Sequence, residues 1–496
     1  MSICWDKFQV IKDMHGPIGE STFTKAVNSL VKYIQSNTPI KDSLFEQAQL
    51  YFETSDKDKQ TRLELQRKVK KIKSSLQSAD LKKTAYIDKK LDASQFLFKK
   101  ERTRQQQACS VRSGKVKDLC TKLLVLSEAN NWHETQVNSA KLLGTLQLLS
   151  PREGAKLAQQ NQKFKPAYKG VIALRLLDKL LEDEKIIHPY INERYQEKLR
   201  YPEQEGNLTL FQRDVAIPLL IAAIFQDVGL MHPKAQLILK GEDGTLDEFR
   251  VLGKVDRIAL LKINHEKTLD FITHGLGMEQ YIGNSKQERA TFNRNEKEKL
   301  IFTRTLLINA LKPQLGVGNL IKVPQIYASV IFSSKQSYNF MDLPKASLVI
   351  ARTADGGSIS KVIANSLLSI VGHFPQGYGI TYIPKDDDRQ DMDRYEYAIV
   401  TELNPEDPYT PRCRVATRTL TFISSGQTIS VKVENNLYFG AAKKKLEKIN
   451  PARLEEILSK LVSNFEERKK LDLIPSYWDP SGFFCYTKHQ NLWKKI

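Results

Sequence analysis

The segment "PLLIAAIFQDVGLMHPKAQLILKGEDGTLDEF" ends a run of small and apolar residues on one aspartate, Asp227, followed at once by Val228 and Gly229. A carboxylate delivered by an apolar helix is costly to bury alone, so Asp227 either caps the following turn or belongs to a polar pocket. A carboxylate so placed is a candidate metal ligand. The residue beside Asp227 is Gln226, whose amide carbonyl is a weak ligand for a transition metal. Gly229 permits a tight exit from the turn, and Pro233 begins the next segment.

These residues need elements to hold them. At 496 residues, 41% of them hydrophobic, the chain exceeds what a single core usually serves. From Ser21 to about Arg152 apolar residues recur at helical spacing, as in Leu65, Val69, Ile72 and Leu76, and again in Val116, Leu119, Leu123 and Leu126. The stretch from Tyr168 to about Val371 continues as a second helical array. After Gly372 the pattern turns to alternation and turn residues in "GYGITYIP", "YEYAIVTEL", "RCRVATRTLTF" and "QTISVKVENNLYF", which predicts short strands. A final helix opens at Asn450 as N-cap with Pro451 in its first turn. The predicted fold is mainly α, in four linear parts: a basic helical interaction module over 1–150, separable at about Pro151, an all-α domain over 151–371, a small β-rich domain over 372–440, and a helix with an aromatic tail over 441–496. That tail, with Tyr477, Trp478, Phe483, Phe484, Tyr486 and Trp493, is expected to pack its rings on the helical domains.

The net charge of +19 is unevenly spread. Between Asp56 and Asp118 there are 19 Lys and Arg against 8 Asp and Glu. Such a concentration reads as solvated helix faces or as a docking face for acidic partners, membrane or nucleic acid. The five cysteines, Cys4, Cys109, Cys120, Cys413 and Cys485, are scattered without a CxxC pair, which favours neither a disulfide framework nor a zinc knuckle. No apolar run approaches the roughly 18 residues of a membrane span, and the expected location is cytoplasmic.

In order of elements, "IFQDVG", Pro233, "LIL" and "GEDGTLDEF" resemble the HD superfamily of metal-dependent phosphohydrolases, more narrowly its HD-GYP branch, which hydrolyses cyclic di-GMP. The resemblance runs over roughly 170–435 and implies an HD-like helical domain in bacterial cyclic-dinucleotide signalling. Residue by residue it departs from the family. Gln226 stands at the dyad histidine, Leu230 at the phosphate-binding lysine, and no carboxylate replaces the final metal-binding aspartate near Ser329 or Val330. His188 and His265 match the remaining histidine positions, with His274 a weaker match, whereas His373 falls in a turn and is expected to be structural. The implied state is a pseudoenzyme with a vestigial site of His188, Gln226, Asp227 and His265, all converging on one cavity. No metal or other cofactor is expected; a divalent Mn, Fe or Mg, if held, would use His188, Asp227 and His265. Partners are then a cyclic dinucleotide and proteins bound through the basic module. Two alternatives stay open: an active phosphohydrolase on cyclic or linear nucleotides, and a basic protein binding a membrane surface or, less favoured, nucleic acid.

Overall fold

The computed structural model describes residues 17–36, 38–77, 81–154, 156–204, 207–313, 316–335, 338–462 and 464–494; Cys4 and the rest of 1–16 lie outside the described residues. The fold is mainly α with a small antiparallel β region near the C-terminus. Two compact units emerge, each discontinuous in sequence: one from 1–32, 121–224 and 308–496, the other from 33–120 and 225–307. They run across the predicted boundaries at 150 and 371 instead of along them.

In the larger unit the helix Leu157–Glu182 is buried along most of its length. From Pro166 to Asp178 every residue is buried, the polar Lys169, Arg175 and Asp178 among them. Tyr168 pairs with Phe332 at 5.0 Å and Tyr327 at 6.3 Å, and Phe332 with Phe164 at 5.8 Å, distances that suit edge-to-face and offset pairs. Helix Trp132–Leu149 belongs to this core too, with Leu142, Leu143 and Leu146 fully buried. A chain starting at Pro151 would therefore lose part of this core, because burial here joins segments distant in sequence.

Six short strands follow, β1 Gly379–Tyr382, β2 Glu396–Val400, β3 Arg412–Val415, β4 Thr417–Arg418, β5 Thr421–Phe422 and β6 Thr428–Ser430. An antiparallel sheet has the order β1-β2-β3-β6, with Ala398 opposite Val415 and Cys413 opposite Ile429, while β4 and β5 form a separate hairpin. Helix Pro451–Leu461 begins as its sequence predicts, the Asn450 side chain accepting from the Ala452 N–H at 2.9 Å. It ends at Leu461, and a separate helix, Phe465–Lys469, follows. The aromatic tail packs on helices and sheet alike: Trp493 lies against Gly144 of helix Trp132–Leu149, and Trp478, Phe483 and Phe484 share a core with Leu454 and Ile457 and with the sheet residues Tyr397 and Ile399. Trp478 stacks on Tyr397 at 4.7 Å and donates to the Ala398 carbonyl, and Trp493 donates to the Thr401 carbonyl. The other end of this unit's chain meets that tail: Gly19 N–H donates to Cys485 O, and Ser21 N–H to the Gln490 side chain.

The smaller unit contains the helix Leu44–Gln77 and most of Leu81–Ser127. On the latter, Ile87, Leu91, Ser94, Phe98, Glu101 and Gln105 are the shielded positions, spaced four and three residues apart. On the former, Leu65, Val69, Ile72 and Leu76 are shielded with the same spacing. This is a coiled-coil seam. The two helices run antiparallel, since Tyr51 meets Arg112 whereas Asp58, further along its helix, meets the earlier Arg104 at 2.6 Å. At the base of the pair, Phe45, Phe52, Phe225 and Phe271 form one aromatic core.

Candidate functional site

Gln226 and Asp227 follow the apolar helix Ile217–Phe225 in a turn, both half-buried, and Val228–Met231 forms a single 3-10 turn. Asp227 is the N-cap residue of that turn, yet its side chain makes no capping hydrogen bond. What holds the turn is backbone. The Gly229 N–H donates to the Thr268 hydroxyl at 3.0 Å, and the Gln226 carbonyl accepts from Thr268 at 3.3 Å and from the Asn264 amide at 3.4 Å. Asn264 and Thr268 are one turn apart on helix Lys254–Asp270 and so present one face to it. Gly229 approaches that helix so closely that a Cβ would fall on the Asn264 carbonyl oxygen. The glycine is required by this approach, not by its φ.

His265 sits on the same helix, half-buried, about 100° round from Asn264. Burial pushes its pKa down, against the opposing charge of Glu266. His274 is exposed in the π-helical turn Phe271–Leu276. His188 is the N-cap of the short helix Pro189–Asn192, where its carbonyl accepts from Asn192 N–H at 2.9 Å; burial lowers its pKa as well. His188 belongs to the larger unit, and Gln226, Asp227, His265 and His274 to the smaller. Among the described residues, no group of three or more His, Cys, Asp or Glu side chains could hold a metal ion. Ser329, near the position of the family's last aspartate, is exposed and donates to the Gln325 carbonyl of its own helix at 2.7 Å.

Two polar clusters carry no sequence motif. In the smaller unit Asp270 accepts from Tyr51 at 3.0 Å and from Lys59 at 2.8 Å. Burial opposes ionisation of Asp270, but Lys59 and Tyr51 hold its carboxyl below the usual range. Arg112 lies over the Tyr51 ring at 5.1 Å and donates to the Gly275 carbonyl. Nearby, the buried His232 uses Nδ1 to accept the Lys234 N–H, capping helix Pro233–Lys240. Pro233 signals the helix start in the sequence, but not the capping role of His232, since His188 stands equally before Pro189 without a side-chain cap bond.

In the larger unit Glu128, Arg175, Asp178, Arg200 and Gln212 are buried together. Glu128 accepts from Arg175 at 2.5 Å, from Arg200 at 2.6 Å and from Gln212 at 2.7 Å, while Asp178 accepts from Arg200 at 2.7 Å. Burial would raise the Glu128 pKa, but the two guanidinium groups hold it well below the carboxylate range. With two cations and two anions the cluster is neutral and sealed, which suits tethering four chain segments and not substrate chemistry. His373 is likewise a packed imidazole, bonded to Ser347 Oγ at 2.7 Å and ringed by Phe374, Tyr409 and Tyr438.

No protein-family model, curated protein or solved structure matches the chain. No described helix is long and apolar enough to cross a membrane.

Proposed function

We propose that the protein is a catalytically degenerate relative of the HD-type phosphohydrolases that acts in signalling by binding, with a cyclic dinucleotide as its ligand class. The observation that supports this reading is the turn at Gln226–Gly229. Where the family's His-Asp dyad would present ligands, this chain has Gln226, and the turn is bonded through its backbone to Asn264 and Thr268. A position so held supports packing without requiring a metal. Two metals need about six well-placed ligands, and the residues that match the family are His188, Asp227 and His265 alone.

The test is incubation of the purified protein with cyclic di-GMP and Mn²⁺, Fe²⁺ or Mg²⁺, with product separated by chromatography and binding followed by equilibrium dialysis. Binding without turnover is expected, and Gln226→His alone is expected to restore none. Metal-dependent hydrolysis abolished by Asp227→Ala would overturn the degenerate reading. Failure of the cyclic dinucleotide to bind at all would overturn the ligand class.

A further inference from the structure

The antiparallel helix pair of the smaller unit turns one face of Leu81–Ser127 inward along its seam, and the opposite face has a composition of its own. Along one side of the helix from Tyr86 to Val111 lie Tyr86, Lys89, Lys90, Ala93, Phe96, Leu97, Lys100, Thr103, Gln107, Ser110 and Val111. All are exposed, and not one is acidic. Asp92, exposed and one turn before Phe96, borders this side, and Arg104 is tied back by ion pairs to Glu101 of the seam and Asp58 of the partner helix. The face is about 120° wide and roughly 38 Å long.

Solvation explains the lysines of this face but not its apolar groups. Tyr86 is 72% exposed, Phe96 66%, Val111 58% and Leu97 47%, all on a helix that has a separate seam for its core-facing residues. Single exposed apolar residues need no explanation, whereas the adjacent pair Phe96 and Leu97, with Tyr86 and Val111 further along the same side and lysines between them, is a surface with two affinities.

We propose that this face docks the protein on an anionic phospholipid surface. Lysines and the excess positive charge of the helix pair, 19 basic against 8 acidic residues over 56–118, are attracted to the headgroup charge. Tyr86, Phe96, Leu97 and Val111 enter the boundary between headgroups and acyl chains, with the helix axis parallel to the membrane plane. A second copy of the same face fits poorly, because two such faces repel. Nucleic acid would accept the lysines and could stack on Tyr86 and Phe96, but Leu97 and Val111 have no ring to stack. An acyl layer accepts all four.

The proposal goes beyond cyclic-dinucleotide binding and stands or falls separately from it. The full chain is mixed with vesicles of phosphatidylglycerol and phosphatidylcholine, or of phosphatidylcholine alone, and sedimented. It is expected to bind the anionic vesicles, less tightly as salt rises, and not the zwitterionic ones. Phe96→Ser with Leu97→Ser should weaken binding by about tenfold or more, since burying two such side chains is worth at least the ~1.4 kcal/mol of one decade. Lys89→Glu with Lys100→Glu should weaken it at least as much. A Tyr86→Trp variant should shift its added emission to the blue on anionic vesicles. Circular dichroism melts of the variants are expected to match the parent, which separates lost docking from lost folding. The proposal is overturned if the full chain ignores anionic vesicles. It is overturned equally if the Phe96 and Leu97 changes leave binding intact, if the tryptophan emission does not move, or if DNA binds more tightly than the vesicles.

Discussion

In one compact unit two arginines and two carboxylates are buried together around Glu128, whereas in the other Lys89, Lys90 and Lys100 stand in water along one side of Leu81–Ser127. The buried set is balanced charge for charge. Each ion there gave up its hydration, so the group persists only because every carboxylate oxygen pair meets a guanidinium in direct hydrogen-bond geometry. The exposed set is unbalanced and keeps its water, which leaves its charge available to something outside the chain. Buried ions therefore report on folding here, and the exposed ones are left for the docking proposed above.

Breaking the buried set should have the largest effect. Glu128→Ala leaves Arg175 and Arg200 without their shared acceptor and is expected to cost about 3–5 kcal/mol of stability, read by urea unfolding. Acid should act in the same direction. The folded Glu128 pKa is depressed, so its contribution is complete above the unfolded value of about 4.3 and is lost as pH falls from there toward the folded value. The parent should lose stability over that window more steeply than Glu128→Ala; equal slopes would contradict the assignment.

Gly229→Ala is next, at about 2–4 kcal/mol, because the new Cβ meets a helix carbonyl that cannot rotate away. Thr268→Val should cost less, about 1–3 kcal/mol, by leaving the Gly229 N–H without its acceptor. If alanine at 229 is neutral in a thermal melt, the turn is not packed on Asn264 as described.

The smallest stability effect belongs to the exposed set. Lys89→Glu with Lys100→Glu should move stability by no more than about 0.5 kcal/mol, as surface changes away from buried contacts do. A marked loss of stability would mean that these lysines support the helix pair itself, and the contrast with Glu128 would fail.

Much of the secondary structure could be read before any coordinates. Alternation in "YEYAIV" marks β2, Asn450 and Pro451 mark a helix start, and Gly372 lies where helix Lys361–Val371 ends, at φ 68°. These are local signals, decided within a few residues. The candidate site was legible only in part. Asp227 and Gly229 announce a turn after an apolar helix, but Asn264 and Thr268, which hold that turn, lie some 35 to 40 positions away in the chain and carry no motif. The outward face of Leu81–Ser127 was hidden for a related reason. Phe96, Leu97 and Phe98 are consecutive, and only the position of the partner helix tells which of them lies in the seam.

Composition and periodicity alone determined a mainly helical chain, a short β region after Gly372 and a strongly basic stretch before residue 120, because each depends on neighbours in sequence. Tertiary structure decided the rest. It joined 17–32, 121–224 and 308–494 around one core, gathered Glu128, Arg175, Asp178 and Arg200, and placed His188 in a different unit from Asp227 and His265. Burial and ion pairing act between residues that meet in space, and no spacing along the chain encodes which distant residues those will be.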